Sequence, residues 1–175
     1  MNCMAFMSYT RLDDEHNDGQ LTAFRRRLSN EVRCQTATEF PIFQDHHALD
    51  WGRHWPTRID TALATVTLLI PVISPSFFAS QACRAEVERF HDREKSLGLN
   101  DRILPLYYVE TAQWENEKLR SSDPLAAMLH QRQYRDWRAL RHAPVTDREI
   151  KEEIERLARE IRERIHWVTA AAPTG

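Results

Sequence analysis

The chain has 175 residues, 24 Lys and Arg against 26 Asp and Glu, a formal net charge of -2, and 42% apolar residues. That is the size of one domain, or one domain plus an extra helix, with enough apolar material for a core. The near balance of charge gives no electrostatic case for direct binding of nucleic acid or an anionic membrane, and Cys3, Cys34 and Cys83 form neither a disulfide framework nor a zinc pattern.

Cys3 to Tyr9 (CMAFMSY) reads as a first, buried strand. The polar stretch Thr10 to Gly19 reads as a long loop with a helix cap at Asp18, and a long loop after a buried strand is a functional candidate. Leu21 to Val32 follows with Leu21, Phe24, Leu28 and Val32 at helical spacing, and Arg25, Arg26 and Arg27 on its solvated side. Phe40 to Phe43 is a short second strand, and Pro41 places it at a sheet edge. His46, His47 and His54 lack a second ligand pair at suitable spacing, so no metal site is expected. Arg53 to Ala64 is a second helix with Trp55, Ile59 and Leu63 along one stripe.

Val66 to Ile73 is an apolar, β-branched run of the kind buried on both faces of a parallel sheet. Ser74-Pro75-Ser76 breaks it, and Ser74 or Ser76 can cap the helix that follows. On that helix Ala79, Ala82, Cys83, Val87 and Phe90 form an apolar stripe with Glu86 near its middle, whereas Glu88 points to the solvated side. A carboxylate on an apolar face costs several kcal/mol unless it is paired or hydrogen-bonded. The pattern leaves two accounts open: an ion pair with an arginine of another element, or a ligand site beside small neighbours.

Arg102 to Val109 is a fourth strand containing Pro105, and Thr111 to Asp123 reads as charged and irregular with Trp114 inside it. Pro124 opens a short helix to about Arg132, Tyr134 to Trp137 is a weak last strand, and Thr146 to Trp167 is a long amphipathic helix with a Thr146–Glu149 capping box. Residues 169–175 have the composition of a linker or disordered tail, consistent with a fused or partner sensor domain, and 1–168 read as the domain itself. No apolar run reaches membrane-span length, and the apolar start MNCMAFM is too short for a secretory signal, so a cytoplasmic location is expected. Alternating strands and helices predict an α/β fold, a doubly wound, flavodoxin-like parallel five-stranded sheet of order 2-1-3-4-5 with helices on both faces. Its ligand crevice would lie outside the C-terminal ends of strands one and three, next to Glu86. No GxGxxG is present, so a nucleotide would be held without that phosphate loop.

Three segments resemble the three motif boxes of TIR domains, in order, over roughly residues 3 to 110: AFMSYTRLDDE, IFQDHHALDWGRHWPTRIDTAL, and VTLLIPVISPSFFASQACRAEVERF with Ser80, Cys83 and Glu86 at the Ser-x-x-Cys-x-x-Glu spacing. Asp50-Trp51-Gly52 in the second box looks more like bacterial members than animal receptors. The resemblance implies an NAD+ glycohydrolase of the bacterial NAD-cleaving type, with NAD+ as substrate and no separate cofactor. It would cleave the nicotinamide–ribose bond to give ADP-ribose or a cyclic ADP-ribose. The resemblance further implies activation by self-association through the Asp45 to His54 loop, and a role in anti-phage defence. It places Glu86 as the catalytic residue. Ser8, Tyr9 and Arg11 would line the strand-one side with Arg11 toward phosphate, Asp45 and Trp51 the second loop, and Trp55 either the nicotinamide side or the core. Ser80 and Cys83 would complete the site, Cys83 as a packing residue. The competing readings are a non-catalytic TIR interaction module and another ribosyl-cleaving flavodoxin-like domain.

Overall fold

The computed structural model describes residues 4–44 and 66–170, with the backbone alone for 166–170. The expected helix over 53–64, the loop with Asp45, Trp51 and Trp55, and the three histidines of that region lie outside the described residues. Five short strands, β1 (Ala5–Ser8), β2 (Ile42–Phe43), β3 (Leu68–Ile73), β4 (Leu106–Tyr107) and β5 (Arg135–Asp136), form one parallel sheet in the order β2-β1-β3-β4-β5. The topology is the doubly wound, flavodoxin-like one that the alternating pattern predicts.

The pleat of the two central strands divides the interior. Ala5, Met7, Leu68, Ile70 and Val72 face one core, built with α2 (Gln20–Thr36) and α8 (Arg148–Ala170). Phe6, Leu69 and Ile73 face the other, built with α3 (Pro75–Ala79), α4 (Gln81–Ser96), α5 (Ala112–Glu115) and α7 (Pro124–His130). Leu21, Phe24, Leu28 and Val32 are buried on α2, as their spacing requires, and Ile150, Ile154, Ala158 and Ile161 are buried on α8.

Pro71 stands inside β3, a central strand, where a missing N–H ordinarily excludes proline. Leu69 and Ile73 both turn their backbone groups toward β4: Leu69 bonds with Arg102 and Leu104, and the Ile73 carbonyl accepts from Tyr108. Alternation therefore aims Pro71 the same way, at the stretch where the β3–β4 ladder is interrupted between Ile103 and Leu106. Pro105 in that stretch faces β5, its carbonyl accepting from the Arg135 amide, so Pro71 stands opposite an interruption of the β3–β4 ladder.

Four local expectations are corrected. Residues 11–16 of the expected loop form helix α1 (Arg11–His16), because Thr10 caps it by accepting from the Asp13 amide and Asp13 and Asp14 fill its first turn. Asp18 caps nothing: it and Gly19 sit at φ 53° and 73°, the left-handed turn that carries α1 into α2. The irregular stretch 111–123 contains α5 and α6 (Glu117–Ser122), and Trp114 is buried against Tyr107 and Tyr134. The last helix begins at Arg148, where the Asp147 carbonyl takes the first bond from Lys151, so Thr146 is not its cap.

Glu94, near the end of α4, is 2% exposed and receives both Arg132 guanidinium nitrogens, at 3.0 and 2.7 Å, with the Arg102 amide at 2.8 Å. Burial opposes its charge, but these donors outweigh burial and hold its pKa below the usual 4.5. A depressed carboxylate contributes stability above its unfolded pKa and loses it as pH falls through the folded one. Arg132→Met is expected to cost about 3 kcal/mol in chemical denaturation at neutral pH. The difference from wild type should narrow below pH 4.5.

Candidate functional site

Ser8 ends β1 with its side chain on the α4 side of the sheet, two residues after Phe6. Its hydroxyl donates to Glu86 Oε2 at 2.5 Å. Both groups are inside, Ser8 at 1% and Glu86 at 4% exposure. Glu86 reaches this point because the chain breaks twice after β3. Ser74 caps α3 by accepting from the Phe77 amide, and Ser80 ends α3 and caps α4 by accepting from the Cys83 amide at 3.2 Å. The helix expected to run on from Phe77 is thus interrupted at Ser80, which leaves Ala79 exposed and starts α4 five residues before Glu86. Cys83 lies one turn before Glu86 and is buried. Burial pushes its thiol above the usual 9.0, against hydrogen bonds to Ser80 and Ser8, so the sulfur is a protonated packing group.

Tyr9 and Arg11 do not join this group. The pleat turns Tyr9 to the opposite core, where its hydroxyl donates to Gln44 and lies 3.4 Å from Thr22. Arg11 pairs with Glu15 on the outer side of α1, 74% exposed. The residues brought together are Ser8, Ser80, Cys83 and Glu86, while Asp45, Trp51 and Trp55 lie outside the described residues.

Two polar anchors were hidden in the stretch read as a loop. Asp13 Oδ2 accepts from Ser74 at 2.5 Å, Ser76 at 2.7 Å and Thr10 at 3.1 Å, which joins α1 to the turn after β3. Asn17 Nδ2 donates to the Tyr108 hydroxyl and to the Arg141 carbonyl, both at 2.6 Å. The spacing Thr10-x-x-Asp13 directly after a strand was the available signal, since it is that of a capping box. Along the same C-terminal edge of the sheet, an open cleft of about 610 Å³ lies over β4 and β5, lined by Tyr108, Glu110, Asp136, Arg138, Arg141 and His142.

The site therefore sits at the topological switch between β1 and β3, with a buried carboxylate held by a strand-end hydroxyl. Comparison with known proteins adds the family. The family model described as TIR domain matches residues 6–158. This chain belongs to the TIR-domain family. The TIR domains in the structure of the activated Roq1 resistosome directly recognizing the pathogen effector XopQ are similar to it at 16% identity, over 90% of this chain and 84% of that one, with a TM-score of 0.46. No curated protein matches. Among the described residues of this TIR domain, no helix is long and apolar enough to cross a membrane.

Ser8→Ala should cost about 1–3 kcal/mol in denaturant unfolding, because Glu86 loses a buried hydrogen bond, whereas Ser80→Ala should cost about 1 kcal/mol as a lost helix cap. Iodoacetamide is expected to label exposed Cys34 in the folded TIR domain and Cys83 only after denaturation, as read by peptide mass spectrometry.

Proposed function

We propose that this TIR domain is an NAD+ glycohydrolase that breaks the nicotinamide–ribose bond, with Glu86 as its catalytic carboxylate. The observation that carries the reading is Glu86 itself, buried at the topological switch and oriented by Ser8. Nicotinamide leaves as a neutral molecule from a cationic precursor, so the reaction needs no acid for the leaving group, unlike ordinary glycoside hydrolysis. What remains is an electron-poor, oxocarbenium-like ribosyl centre. A fixed carboxylate in a water-poor site stabilises that charge, and the Ser8 hydrogen bond holds one carboxylate oxygen so that the other has a defined direction. Capture of the cation by water gives ADP-ribose, and capture by the adenine gives a cyclic ADP-ribose. The cleft over β4 and β5 lies on the same edge as Glu86 and offers volume for the adenosine diphosphate part.

In this reading NAD+ is substrate and no cofactor takes part. The Asp45 to His54 loop joins neighbouring copies, and assembly, directed by a fused or partner sensor, switches on activity in the cytoplasm. Depletion of NAD+ then fits a defence effector acting against phage. Purified protein at high concentration should release free nicotinamide from NAD+, and Glu86→Ala should release none while keeping its circular dichroism and melting temperature. Turnover per molecule is expected to rise with protein concentration or artificial clustering. Full activity in a dilute monomer would contradict activation by assembly.

A further inference from the structure

The crevice holds a second carboxylate that the proposed chemistry does not yet use. Asp13 stands at the first turn of α1, over the C-terminal ends of β1 and β3, and reaches the turn that leads to α4. Its Oδ2 is surrounded by the hydroxyls of Thr10, Ser74 and Ser76. Thr10 Oγ1 and Ser76 Oγ also lie 2.6 Å apart, and Ser74 Oγ and Ser76 Oγ 3.0 Å apart. Each hydroxyl has a single proton, so with all three directed to Oδ2 the knot has no donor left over. Oδ1 makes no hydrogen bond among the described residues. A carboxylate with one oxygen clamped and the other open presents a fixed acceptor. Helix capping alone does not require that clamp, because the cap of α1 is made by the Thr10 side chain with the Asp13 amide.

Glu86 is held at the end of β1 by Ser8, and Asp13 at the turn after β3 by Ser74 and Ser76, and β1 and β3 are paired neighbours, so the two carboxylates stand over adjoining strand ends. A ribosyl group placed against Glu86 therefore presents its remaining hydroxyls toward the strand ends where Asp13 is fixed. We infer that Asp13 Oδ1 accepts a hydroxyl of the nicotinamide ribose, making Asp13 a substrate-binding residue that sets the sugar's orientation against Glu86. This inference rests on the glycohydrolase reading. No bond is made or broken at Asp13: it binds a diol-bearing sugar and discriminates against one that lacks the matching hydroxyl.

The test uses the full chain carrying Glu86→Gln, which keeps an oxygen for Ser8 and removes turnover. Calorimetry compares this protein with the Glu86→Gln, Asp13→Asn double variant for NAD+ and for its 2′-deoxy and 3′-deoxy analogues on the nicotinamide ribose. Asp13→Asn should weaken NAD+ by about tenfold or more, the worth of a hydrogen bond to a charged group. One of the two deoxy analogues should bind both proteins equally, since its partner for Asp13 is already gone. Equal weakening of all three dinucleotides would make Asp13 structural and overturn the inference, as would unchanged affinity for NAD+. Ser76→Ala in place of Asp13→Asn, which leaves the carboxylate with one holding donor fewer, should show a smaller loss with the same dependence on the hydroxyl. It decides the matter if Asp13→Asn does not fold. Absence of nicotinamide release from the protein with Glu86 intact counts against the glycohydrolase reading alone, and no NAD+ binding by either protein overturns both.

Discussion

The hydrogen bond from Ser8 to Glu86 constrains much of what surrounds it. A carboxylate inside an apolar layer is tolerated only when donors replace the water it has lost, and Ser8 supplies one from the end of the central strand β1. For the two to meet, α4 must present its second turn to that strand end. The break at Ser80 sets the start of α4, and small Cys83 lets the helix come close. Arg84 then ties the outer side of α4 to Asp123 through two bonds of 2.8 and 2.9 Å, and Asp123 is itself the cap of α7. One internal contact and one external brace thus fix the rotation of the helix that carries the candidate catalytic group.

Glu86 and Glu94 show how two carboxylates on the same stripe of one helix come to differ. They are eight residues apart, just over two turns, and both are buried. Glu94 is met by the Arg132 fork and the Arg102 amide at the end of the sheet remote from the crevice, and this is the ion pair expected of a structural acid. Glu86 meets a serine hydroxyl at the end where open α/β sheets take ligands. The helix repeats the residue, and the sheet assigns each copy its surroundings.

The edge around Glu86 is organised by short polar links. Asp13 joins α1 to the β3–α3 turn, Asp14 receives the amide and hydroxyl of Thr22 and so holds α1 to α2, and Asn17 reaches Tyr108 just past β4 and the turn before α8. A six-residue helix is too short to be stable alone. These links hold α1 across the strand ends, which turns a polar connection into one wall of the crevice.

Period and composition carried the frame of this protein. Apolar runs at strand length, stripes at helical spacing and the alternation of the two dictate a parallel doubly wound sheet, and a glutamate on an apolar stripe marks the candidate site, because burial is written directly into where apolar residues recur. The motif boxes placed that glutamate in a family. Other features depend on partners far along the chain. Tyr9 follows Ser8 in sequence, yet the pleat sends the two side chains to opposite cores. Pro71 sits in a central strand at the point where the ladder to β4, far along the chain, is interrupted between Ile103 and Leu106. Asp13 lies in a stretch that reads as a polar loop, and only the fold brings Ser74 and Ser76 to it from the turn after β3. Hydrogen bonds of this kind have no period in the sequence, so packing in three dimensions had to decide which polar residues would build the site.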